Sequence, residues 1–460
     1  MESHGGSQCP KEAALRMKMK SKSRHARNLS AILCLAFFVS HPNGWATVVG
    51  KSDPAQPLTA ARISALPASE RGAWLGYLNR SEQQEKTDRA ALASERQGIK
   101  DLPPDPQLGF STRSMPLDRE ASWYGSPEAR HIADVIVSFQ TPAGGWGKNM
   151  NMGGSARVRG QSFVPDNSNR LPSSGDFDAA RDASWHYVGT LDNDATTTEL
   201  HFLAKVQANI PTADGEAYRA AFLRGVRYLL AAQYPNGGWP QVWPLEGGYH
   251  DAITFNDDAV YNGIELLTDI SDGKPDYAFV PAELRSRAAP AIANALKCIL
   301  AAQFRVSRRA TIWGQQVDML TLKPVAARNY EPAALSSEES AHLLLYLMSV
   351  PRPSAQVKTA ISDGVSWLRE HAIYNKAVVG SRNTTEGRRL VEQQGAGPLW
   401  ARYYALETEK PIFGDRDKTI HDDMNEISLE RRNGYAWFNT APAAALTEYE
   451  TWKRSHSAPQ

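Results

Sequence analysis

Apolar residues recur at helical spacing along most of the chain. Four segments place apolar side chains three and four residues apart, which is the pattern of an amphipathic helix: HIADVIVSFQ (131–140), GVRYLLAAQ (225–233), ALKCILAAQ (295–303) and DGVSWLREHA (363–372). Similar patterns lie between these segments, at 196–209, 259–270 and 337–350. Patterns typical of strands are few and short. The chain is therefore predicted to be mainly α-helical.

Two of these helices lead into the same kind of corner. SFQTPAGGWGKNM (138–150) and AAQYPNGGWPQVW (231–243) each run Gln, three residues, Gly-Gly-Trp. The third segment also ends in Gln and reaches a Trp later, in TIWGQQ (311–316). Glycine permits a sharp backbone path, the Trp can pack over the turn, and the Gln can bond loop backbone. Recurring helix–loop–helix units stack or close into a ring. The predicted fold is all-α, an α/α toroid or incomplete α/α barrel with long loops forming a substrate cleft.

The N-terminus has the pattern of an export signal. Residues 17–27 are basic, and 29–39 form an apolar run that is too short to span a bilayer as a stable anchor. Small residues around Ala46 suit a cleavage site. We predict a signal peptide at 1–46 and export to the periplasm or the medium. An uncleaved inner-membrane anchor is the alternative.

The rest of the chain divides into four predicted parts. Residues 47–60 have the composition of a disordered linker, and 61–105 have a charged helical pattern suited to a brace on the main domain. The predicted catalytic domain spans 106–455, followed by a short tail at 456–460. Inside that domain, 151–188 shows no periodicity, and a long loop in a compact domain is usually functional or mobile.

Composition and charge narrow the class of protein. Hydrophobic residues make up 42% and charged residues 22% of the 460 positions, which is ordinary for a globular protein. Removal of 1–46 takes away seven Lys/Arg and two Asp/Glu, which leaves 44 basic and 48 acidic residues and a net charge of −4. Without an overall basic field, nucleic acid is excluded as a partner. Cys298 would be the one cysteine left, so no internal disulfide is possible, and its helical context predicts a buried position.

Two acidic stretches precede predicted helices. TLDNDATTTEL (190–200) places Asp192, Asn193 and Asp194 together, and HDAITFNDDAVYN (250–262) places Asn256, Asp257 and Asp258 in the same arrangement. One such residue could be a helix N-cap. Two clusters at one end of a toroid can face each other, and their oxygens suit a hard cation such as Ca²⁺. A carboxylate pair for acid–base hydrolysis of a glycoside is the competing interpretation.

Basic residues follow later in the chain. TLKPVAARNYEP (321–332) contains Arg328, and 402–420 contains Arg402 and Arg416. The turn PIFGDRD holds Arg416 between Asp415 and Asp417, which either aims its planar fork at a ligand or forms a structural ion pair. Arginines near a divalent cation indicate an anionic polymer as ligand, and export together with the aromatic content favours sugar acids.

These motifs resemble those of a known family, the family 10 polysaccharide lyases or pectate lyases. The stretches that carry the resemblance occur in the right order over about 110–455: QTPAGGWGKNM, TLDNDATTTELHFLAKV, QYPNGGWPQVWPLEGGYHDAITFNDDAVYN, TLKPVAARNYEPAALSSEES and PIFGDRDKTIHDDMNEISLERRNGYAWF. The resemblance implies an α/α toroid and calcium-assisted β-elimination of polygalacturonate, giving 4,5-unsaturated oligogalacturonides.

The resemblance also implies roles for individual residues. Asp192 and Asp257 correspond to the family's acidic pair at the calcium and the substrate carboxylate, and Asn193 lies similarly beside the substrate. Arg328 resembles the catalytic arginine. Arg402 and Arg416, which are 14 residues apart, resemble the two substrate-binding arginines.

The implied reaction needs no water in its products. Calcium and arginine would neutralise the carboxylate beside C5 and stabilise the enolate-like charge formed when the C5 proton leaves. The family assigns the arginine as the base, whereas arginine is normally protonated in proteins. Whether Arg328 accepts the proton or stabilises charge is left open by the sequence.

Other functions compete with this interpretation. An α/α-barrel glycoside hydrolase would use Asp192 and Asp257 as acid and base, and a non-catalytic uronate-binding protein would keep the arginines without a strict need for calcium. A triterpene cyclase shares the Gln-x-x-x-Gly-x-Trp corner but wants an apolar cavity. We expect a monomer with polygalacturonate or pectin as its partner, and no stable membrane span after signal removal.

Overall fold

The computed structural model describes residues 48–109, 111–171, 173–211 and 213–456. The predicted signal peptide at 1–46 and all but the first residue of the predicted tail lie outside the described residues. Among the described residues, no helix combines the length and apolar character needed to cross a membrane.

Helices dominate the described chain. Their bounds are α1 (Ala60–Ser64), α2 (Ala68–Arg96), α3 (Ser111–Ser114), α4 (Pro127–Phe139), α5 (Thr197–Ala208), α6 (Glu216–Ala232), α7 (Ala259–Asp272), α8 (Ala282–Ala302), α9 (Ser337–Ser349), α10 (Ala355–Glu370), α11 (Leu429–Gly434) and α12 (Ala441–His456).

The strands are short and all their pairings are antiparallel. They are β1 (Val48–Lys51), β2 (Ile253–Thr254), β3 (Arg305–Val306), β4 (Arg309–Ala310), β5 (Gln316–Val317), β6 (Leu335–Ser336), β7 (Lys376–Val379), β8 (Arg389–Glu392), β9 (Trp400–Ala401), β10 (Tyr403–Tyr404), β11 (Pro411–Gly414), β12 (Thr419–His421) and β13 (Phe438–Asn439). Five of them form one sheet in the order β1-β12-β11-β10-β6. The others form the pairs β13-β9, β2-β5, β3-β4 and β7-β8.

The long helices form two rows. Helices α4, α6, α8 and α10 contact one another in succession, and α5, α7, α9 and α12 contact one another in the second row. The chain alternates between the rows, so each helix of the first row is followed by a helix of the second. The predicted all-α fold of α/α toroid type is confirmed.

Local sequence explains the helices of the first row. In α4, Ser126 caps the N-terminus by accepting a hydrogen bond from Ala129 N (3.2 Å), and Pro127 occupies the first turn. Ile132 and Ile136 are buried one turn apart, so one face of the helix joins the core. Cys298 lies on the buried face of α8, as predicted, and burial raises the pKa of its thiol to about 12.

The repeated corner has the same hydrogen bonds in each unit. After each first-row helix, a buried Trp donates its indole N–H back to a carbonyl of that helix: Trp146 to Ile136 O (2.7 Å), Trp239 to Leu229 O (2.8 Å), Trp313 to Ile299 O (2.7 Å) and Trp400 to Leu368 O (2.7 Å). The fourth unit, which ends at Trp400, lacks the Gln and escaped the sequence pattern. The Trp thus fixes the loop to the helix that precedes it.

The Gln at the end of each of the first three helices joins neighbouring units. Gln140 Nε2 donates to Gly144 O in its own corner (2.8 Å) and to Ala221 O of α6 (2.8 Å). Gln233 and Gln303 make the matching pairs of bonds, reaching α8 and α10. These bonds satisfy buried loop carbonyls while tying each helix to the next one in the row.

The segment predicted as a disordered linker is instead built into the domain. Strand β1 pairs with β12, with Lys51 opposite Thr419. Leu58 is buried, and its N–H donates to Asp251 Oδ2 (2.9 Å). The polar composition of the segment is typical of disorder. Its order depends on pairing with a strand more than 360 residues away, which no local pattern reveals.

Helix α2 packs along the side of the toroid. Tyr77 donates its hydroxyl to Ala232 O (2.8 Å), and the ring of Trp74 contacts that of Tyr234 with centroids 5.2 Å apart. Nearer its C-terminus, Leu92 joins a small apolar cluster with Phe163, Val164, Trp185 and Val188. Helix α2 therefore covers part of the 151–188 loop, which in its described residues contains one short 3₁₀ turn at Ala183–Trp185.

Candidate active site

The residue two positions after each corner Trp points into one polar site. These residues are Lys148, Gln241, Gln315 and Arg402. Lys148 Nζ contacts Asp192 Oδ2, and Gln241 Nε2 donates to Asp192 Oδ1 (2.9 Å). Gln315 Nε2 and Arg402 Nη2 both donate to Asn256 Oδ1, at 2.9 and 3.1 Å. The corner that holds the toroid together thus also positions the polar groups of the site.

The two acidic stretches adopt the same local structure. Asp192–Asp194 and Asn256–Asp258 each form a short 3₁₀ turn before a second-row helix. Asn193 (φ 53°) and Asp257 (φ 50°) occupy equivalent places in the left-handed region. Backbone of this kind is costly for residues with a side chain and tends to occur where a site requires it. The turns present Asp192 and Asp257 to each other.

Asp192 is almost completely buried, with 1% of its surface exposed. Burial raises its pKa, but the charges of Lys148 and Arg328 and a hydrogen bond with Asp257 outweigh burial, so the pKa falls below its ordinary value. Asn256 Nδ2 lies 3.4 Å from Asp192 Oδ1 and links the two turns. Asp192 is therefore held as a carboxylate.

Asp257, unlike Asp192, favours its protonated form. Burial first, and then the negative charge of Asp192, raise the pKa of Asp257 well above its ordinary value, against the lowering effects of Arg402 and Arg328. The negative charge of Asp192 thus favours the protonated form of Asp257. A divalent cation would take the place of that proton.

The donor set at this point fits calcium. Carboxylate and amide oxygens are the ligands that Ca²⁺ prefers. Asp192 and Asp257 supply carboxylates, and Gln241 Oε1 is a buried acceptor without a hydrogen-bond partner among the described residues. Asn193 lies at the rim, where its N–H donates to Asp257 Oδ2 (3.3 Å) and its Nδ2 to Asn149 Oδ1 (2.9 Å).

Arg328 lies beside this pair with its guanidinium half-buried. Its Nη1 donates to the hydroxyl of Tyr330 (3.0 Å), and its Nε lies 3.7 Å from Glu331 Oε2 and 3.8 Å from Asp178 Oδ2. The Glu331 carboxylate raises the pKa of Arg328 well above its ordinary value despite the opposing effect of burial. A guanidinium becomes neutral more readily where carboxylate partners are absent. The structure places two within 4 Å.

Arg402 reaches the same mouth from the fourth corner. Besides its bond to Asn256, it pairs with Glu339 through Nη2 and with Glu338 Oε2 through Nη1 (3.2 Å). Its guanidinium lies 5.0 Å from the ring centre of Tyr435. Burial lowers the pKa of Arg402, but Glu339 and its other neighbours raise it well above its ordinary value. It is a fixed positive charge in a confined site.

Arg416 is paired with a carboxylate that the sequence did not indicate. Its Nε and Nη2 donate to Glu430 Oε2 (2.7 Å) and Oε1 (3.0 Å), a bidentate pair. The structural ion pair considered with Asp415 and Asp417 is not formed, because Asp415 Oδ1 accepts from Ser428 Oγ (2.7 Å) and Asp417 from Thr419. Arg416 remains 22% exposed.

Tyr330 and Glu331 connect the three arginines. The ring centre of Tyr330 lies 5.5 Å from the guanidinium of Arg416, and its hydroxyl accepts from Arg328. Glu331 accepts from Arg328 N (3.0 Å) and from the hydroxyl of Tyr435 (2.8 Å), on which Arg402 stacks. The structure therefore brings all six predicted site residues to one region.

Several groups of the site escaped the sequence analysis. Lys148 lies in the first corner motif, and its spacing from Trp146 matches that of Arg402 from Trp400, which is a signal that could have identified it. Asp178 comes from the loop without periodicity. Glu331 follows Tyr330 in the stretch that contains Arg328, and a single glutamate there is not a specific signal. For Asp178 the sequence offers no signal, because its partners come from distant segments.

Solved structures that share the fold are polysaccharide lyases. The family 10 polysaccharide lyase from Cellvibrio cellulosa matches with a TM-score of 0.59 and 27% identity, over 75% of this chain and 98% of that chain. A mutant of that enzyme in complex with trigalacturonic acid matches at the same TM-score and identity, over 75% of this chain and 99% of that one. No curated protein matches the chain. The fold and the site define a lyase that acts on polysaccharides.

The family follows from the sequence. A sequence model of the family described as pectic acid lyase matches residues 140–446, which is more than half of the chain and includes all six predicted site residues. The chain belongs to the pectic acid lyase family. The resemblance to family 10 polysaccharide lyases that its motifs carry is thereby confirmed.

Proposed function

We propose that the protein cleaves α-1,4-linked polygalacturonate by calcium-assisted β-elimination and releases 4,5-unsaturated oligogalacturonides. The observation that carries the proposal is the pair of acidic turns that present Asp192 and Asp257 beside Arg328 and Arg402, joined by the hydrogen bonds from Asn193 N to Asp257 Oδ2 (3.3 Å) and from Asn256 Nδ2 to Asp192 Oδ1 (3.4 Å). Such a pair can hold a divalent cation, and the arginines supply the positive charge that a uronate chain needs.

Asp192 and Asp257 would hold calcium, with Asn193 beside the substrate. Bound calcium would supply positive charge to the uronate carboxylate next to the reacting carbon. The chain's own contribution is to keep Asp192 ionised through Lys148 and to hold Asp257 against it. Arg402 and Arg416 would bind substrate carboxylates, because each presents a planar fork that its glutamate partners hold in place.

Arg328 would act on the developing charge at C5. Its raised pKa favours a protonated guanidinium, which stabilises an enolate-like oxygen rather than accepting a proton. When a base removes the C5 proton, the C5–H electron pair forms the C4–C5 double bond, the C4–O bond breaks, and the departing oxygen takes up a proton from solvent. Arg328 is the catalytic residue of the proposal in either role, since both require its guanidinium next to the reacting carboxylate.

The geometry supports elimination over hydrolysis. Glycosidases keep their two carboxyl groups about 5–5.5 Å apart for retention and about 6.5–9.5 Å apart for inversion. The turns that carry Asp192 and Asp257 are joined by direct hydrogen bonds, an arrangement that favours a shared cation over the wider spacing of a glycosidase pair.

The first test is the ultraviolet absorbance of polygalacturonate incubated with the purified protein, with and without a calcium chelator. We expect absorbance from the conjugated unsaturated uronate to rise, and chelation to abolish the rise. Reducing ends that appear without this absorbance would establish hydrolysis and overturn the proposal. Absorbance that persists in chelator would keep the lyase and reject calcium.

A matched pair of variants tests Arg328. Arg328→Ala should lower kcat by about 10²–10³-fold, the usual loss when one stabilising donor is removed. Arg382→Ala, which removes an exposed arginine in the connection between β7 and β8, should leave kcat unchanged. Near-normal turnover by Arg328→Ala would remove this residue from the reaction.

We further propose that the protein acts outside the cytoplasm, as a monomer whose catalytic part is 106–455. A polymeric substrate cannot be reached from inside a cell, and the basic and apolar stretches at 17–39 suit an export signal. Fractionation of producing cells and light scattering of the purified protein would test the two statements separately.

A further inference from the structure

A second cluster of metal-ligating groups lies behind Arg328. Asp178, His186 and His250 are all buried, and one possible ligand atom from each lies within 4.8 Å of the others. His186 Nε2 is 3.5 Å and His250 Nε2 is 3.4 Å from Asp178 Oδ1. Both distances are long for a hydrogen bond. Neither Nε2 atom meets hydrogen-bond geometry with any residue that the structure describes.

The other nitrogen of each imidazole is already occupied. His186 Nδ1 bonds the carboxylate of Glu246, which also accepts from Tyr187 N (2.9 Å). His250 Nδ1 lies 3.3 Å from Gly247 O. Each acceptor favours a ring proton on Nδ1, so Nε2, which faces Asp178, is the nitrogen that can bind a metal in exchange for its own proton. Metal-binding histidines are oriented in this way by a carboxylate or a backbone carbonyl.

The carboxylates nearby call for positive charge. Asp178 and Glu246 are two carboxylates in contact with His186. Arg328 is shared, since its Nε lies 3.8 Å from Asp178 and 3.7 Å from Glu331. A divalent cation between the imidazoles and Asp178 would balance the two carboxylates and bind both Nε2 atoms.

We propose that Asp178, His186 and His250 bind a zinc ion, in a site separate from the carboxyl pair of Asp192 and Asp257. Two imidazoles and a carboxylate are a borderline donor set that zinc prefers over calcium. In a tetrahedron with bonds of about 2.0–2.1 Å, ligand atoms are about 3.3 Å apart. The two distances from Asp178 Oδ1 match that edge.

The position of the site gives the metal a role in the arrangement of the active site. The hydroxyls of Tyr187 and Tyr249 donate to Asp178 Oδ1 at 3.0 and 2.6 Å, and the ring of Tyr187 lies 3.3 Å from Lys148 Nζ. Lys148 contacts Asp192, and Asp178 Oδ2 faces Arg328. Zinc would fix the otherwise irregular 151–188 loop, which supplies Asp178 and His186, beneath these two residues. The three ligands are positioning residues for Arg328 and Lys148.

The test measures metal content and not only activity. The purified protein is stripped with a zinc-selective chelator, returned to Zn²⁺ and assayed by mass spectrometry of bound metal. We expect about one equivalent of zinc in the wild type and in the Asp192→Asn variant, and its loss in His186→Ala and His250→Gln. Glu246→Gln should bind zinc about 10–100-fold more weakly, because it alters only the orienting acceptor.

His201→Gln is the matched control, because His201 is a half-buried histidine that bonds Tyr277 and lies outside the cluster. It should keep its zinc. Should the histidine variants fail to fold, the visible spectrum of the Co²⁺-loaded wild type decides, since intense tetrahedral bands are expected. Absence of those bands, zinc retained by the histidine variants, or wild type that takes up none would overturn the site and leave His186 as a protonated partner of Asp178 and Glu246.

Discussion

The side chain two residues after each corner Trp determines what that corner contributes to the site. In the first and fourth corners it is a cation, Lys148 or Arg402, and in the two between it is an amide, Gln241 or Gln315. The cations and amides act in pairs, one pair on Asp192 and the other on Asn256. The identity of this one residue therefore sets the charge that each corner contributes to the site.

Substitution of Lys148 should lower the free energy of unfolding, because Asp192 is a buried carboxylate that Lys148 neutralises. Lys148→Met leaves a carboxylate without its cation in a site that is almost closed to water, so the protein should lose about 3–5 kcal/mol of stability. Urea denaturation measures the loss. Lys148→Met/Asp192→Asn should recover much of it, and Lys358→Met, on the exposed face of α10, should cost nothing measurable. Equal losses in the single and double variants would contradict the pairing.

Helices are joined by side-chain bonds as well as by apolar packing. Gln140, Gln233 and Gln303 each satisfy one carbonyl in a corner and one on the next first-row helix. The same side chain thus serves the turn and the packing of two helices, which accounts for its recurrence at the end of three of the four helices.

Gln303 offers a direct test of this joint. Gln303→Ala would leave the buried Thr311 O without this donor and would remove the bond that ties α8 to Ala360 O of α10, at a cost of about 1–3 kcal/mol for the unsatisfied carbonyl. The free energy of unfolding in denaturant gives the value. Gln356→Ala, at an exposed position of α10, is the control. If both variants unfold at the same denaturant concentration, the joint contributes little.

Helix α5 contains a buried carboxyl that makes stability depend on pH. Burial raises the pKa of Glu199 to about 8, whereas an unfolded Glu titrates near 4.3. The folded state therefore holds this proton more tightly, and the stabilisation is complete below about pH 4.3 and lost as pH rises to about 8. Between those values the contribution to the free energy of unfolding falls by up to about 1.4 kcal/mol per pH unit.

Glu199→Gln should remove that component of the pH dependence. We expect the variant to be more stable than the wild type at pH 9, with little difference at pH 4, as measured by denaturation at a series of pH values. Glu448→Gln, at an exposed position of α12, should follow the wild-type curve. A Glu199→Gln curve with the wild-type slope would place the pKa of Glu199 near its ordinary value.

At the scale of the whole molecule, α2 holds the irregular loop against the toroid. Leu92 is 4% exposed and packs with Phe163, Val164, Trp185 and Val188, all of which lie within the loop. Arg157 pairs with Glu95 on the same helix (2.7 Å). Because the loop supplies Asp178 to the neighbourhood of Arg328, the helix that precedes the catalytic part influences the site at a distance.

Leu92→Ala should loosen this attachment. The cavity and lost burial predict a cost of about 2–5 kcal/mol, together with faster proteolysis within 151–188 and a raised KM. Limited proteolysis followed by mass spectrometry locates the cuts. Leu75→Ala lies on the same helix with 37% of its side chain exposed and should stay within about 0.5 kcal/mol of the wild type. Equal protease resistance of the two variants would refute the role of α2.

The sequence predicts those parts that depend on local pattern. The toroid could be inferred because Gln and Trp recur at fixed offsets from apolar helices, and the acidic turns because Asp192 and Asp257 lie in near-identical settings. The pairing of Arg416 with Glu430 could not be inferred, since it depends on how a turn and α11 meet. The place of Asp178 beside Arg328 and the strand at Val48–Lys51 could not be inferred either, because their partners lie far away along the chain.

The repeated corner has a consequence for redesign of the enzyme. The indole-to-carbonyl bond of the Trp anchors each unit, whereas the side chain two positions later provides its chemistry, so the second can be exchanged while the first is kept. Four equivalent and separately addressable positions thus surround one opening. A combinatorial library at Lys148, Gln241, Gln315 and Arg402, with Asp192 varied alongside Lys148, would sample new charge patterns in the same corners, and could be screened against polysaccharides that carry other acidic groups.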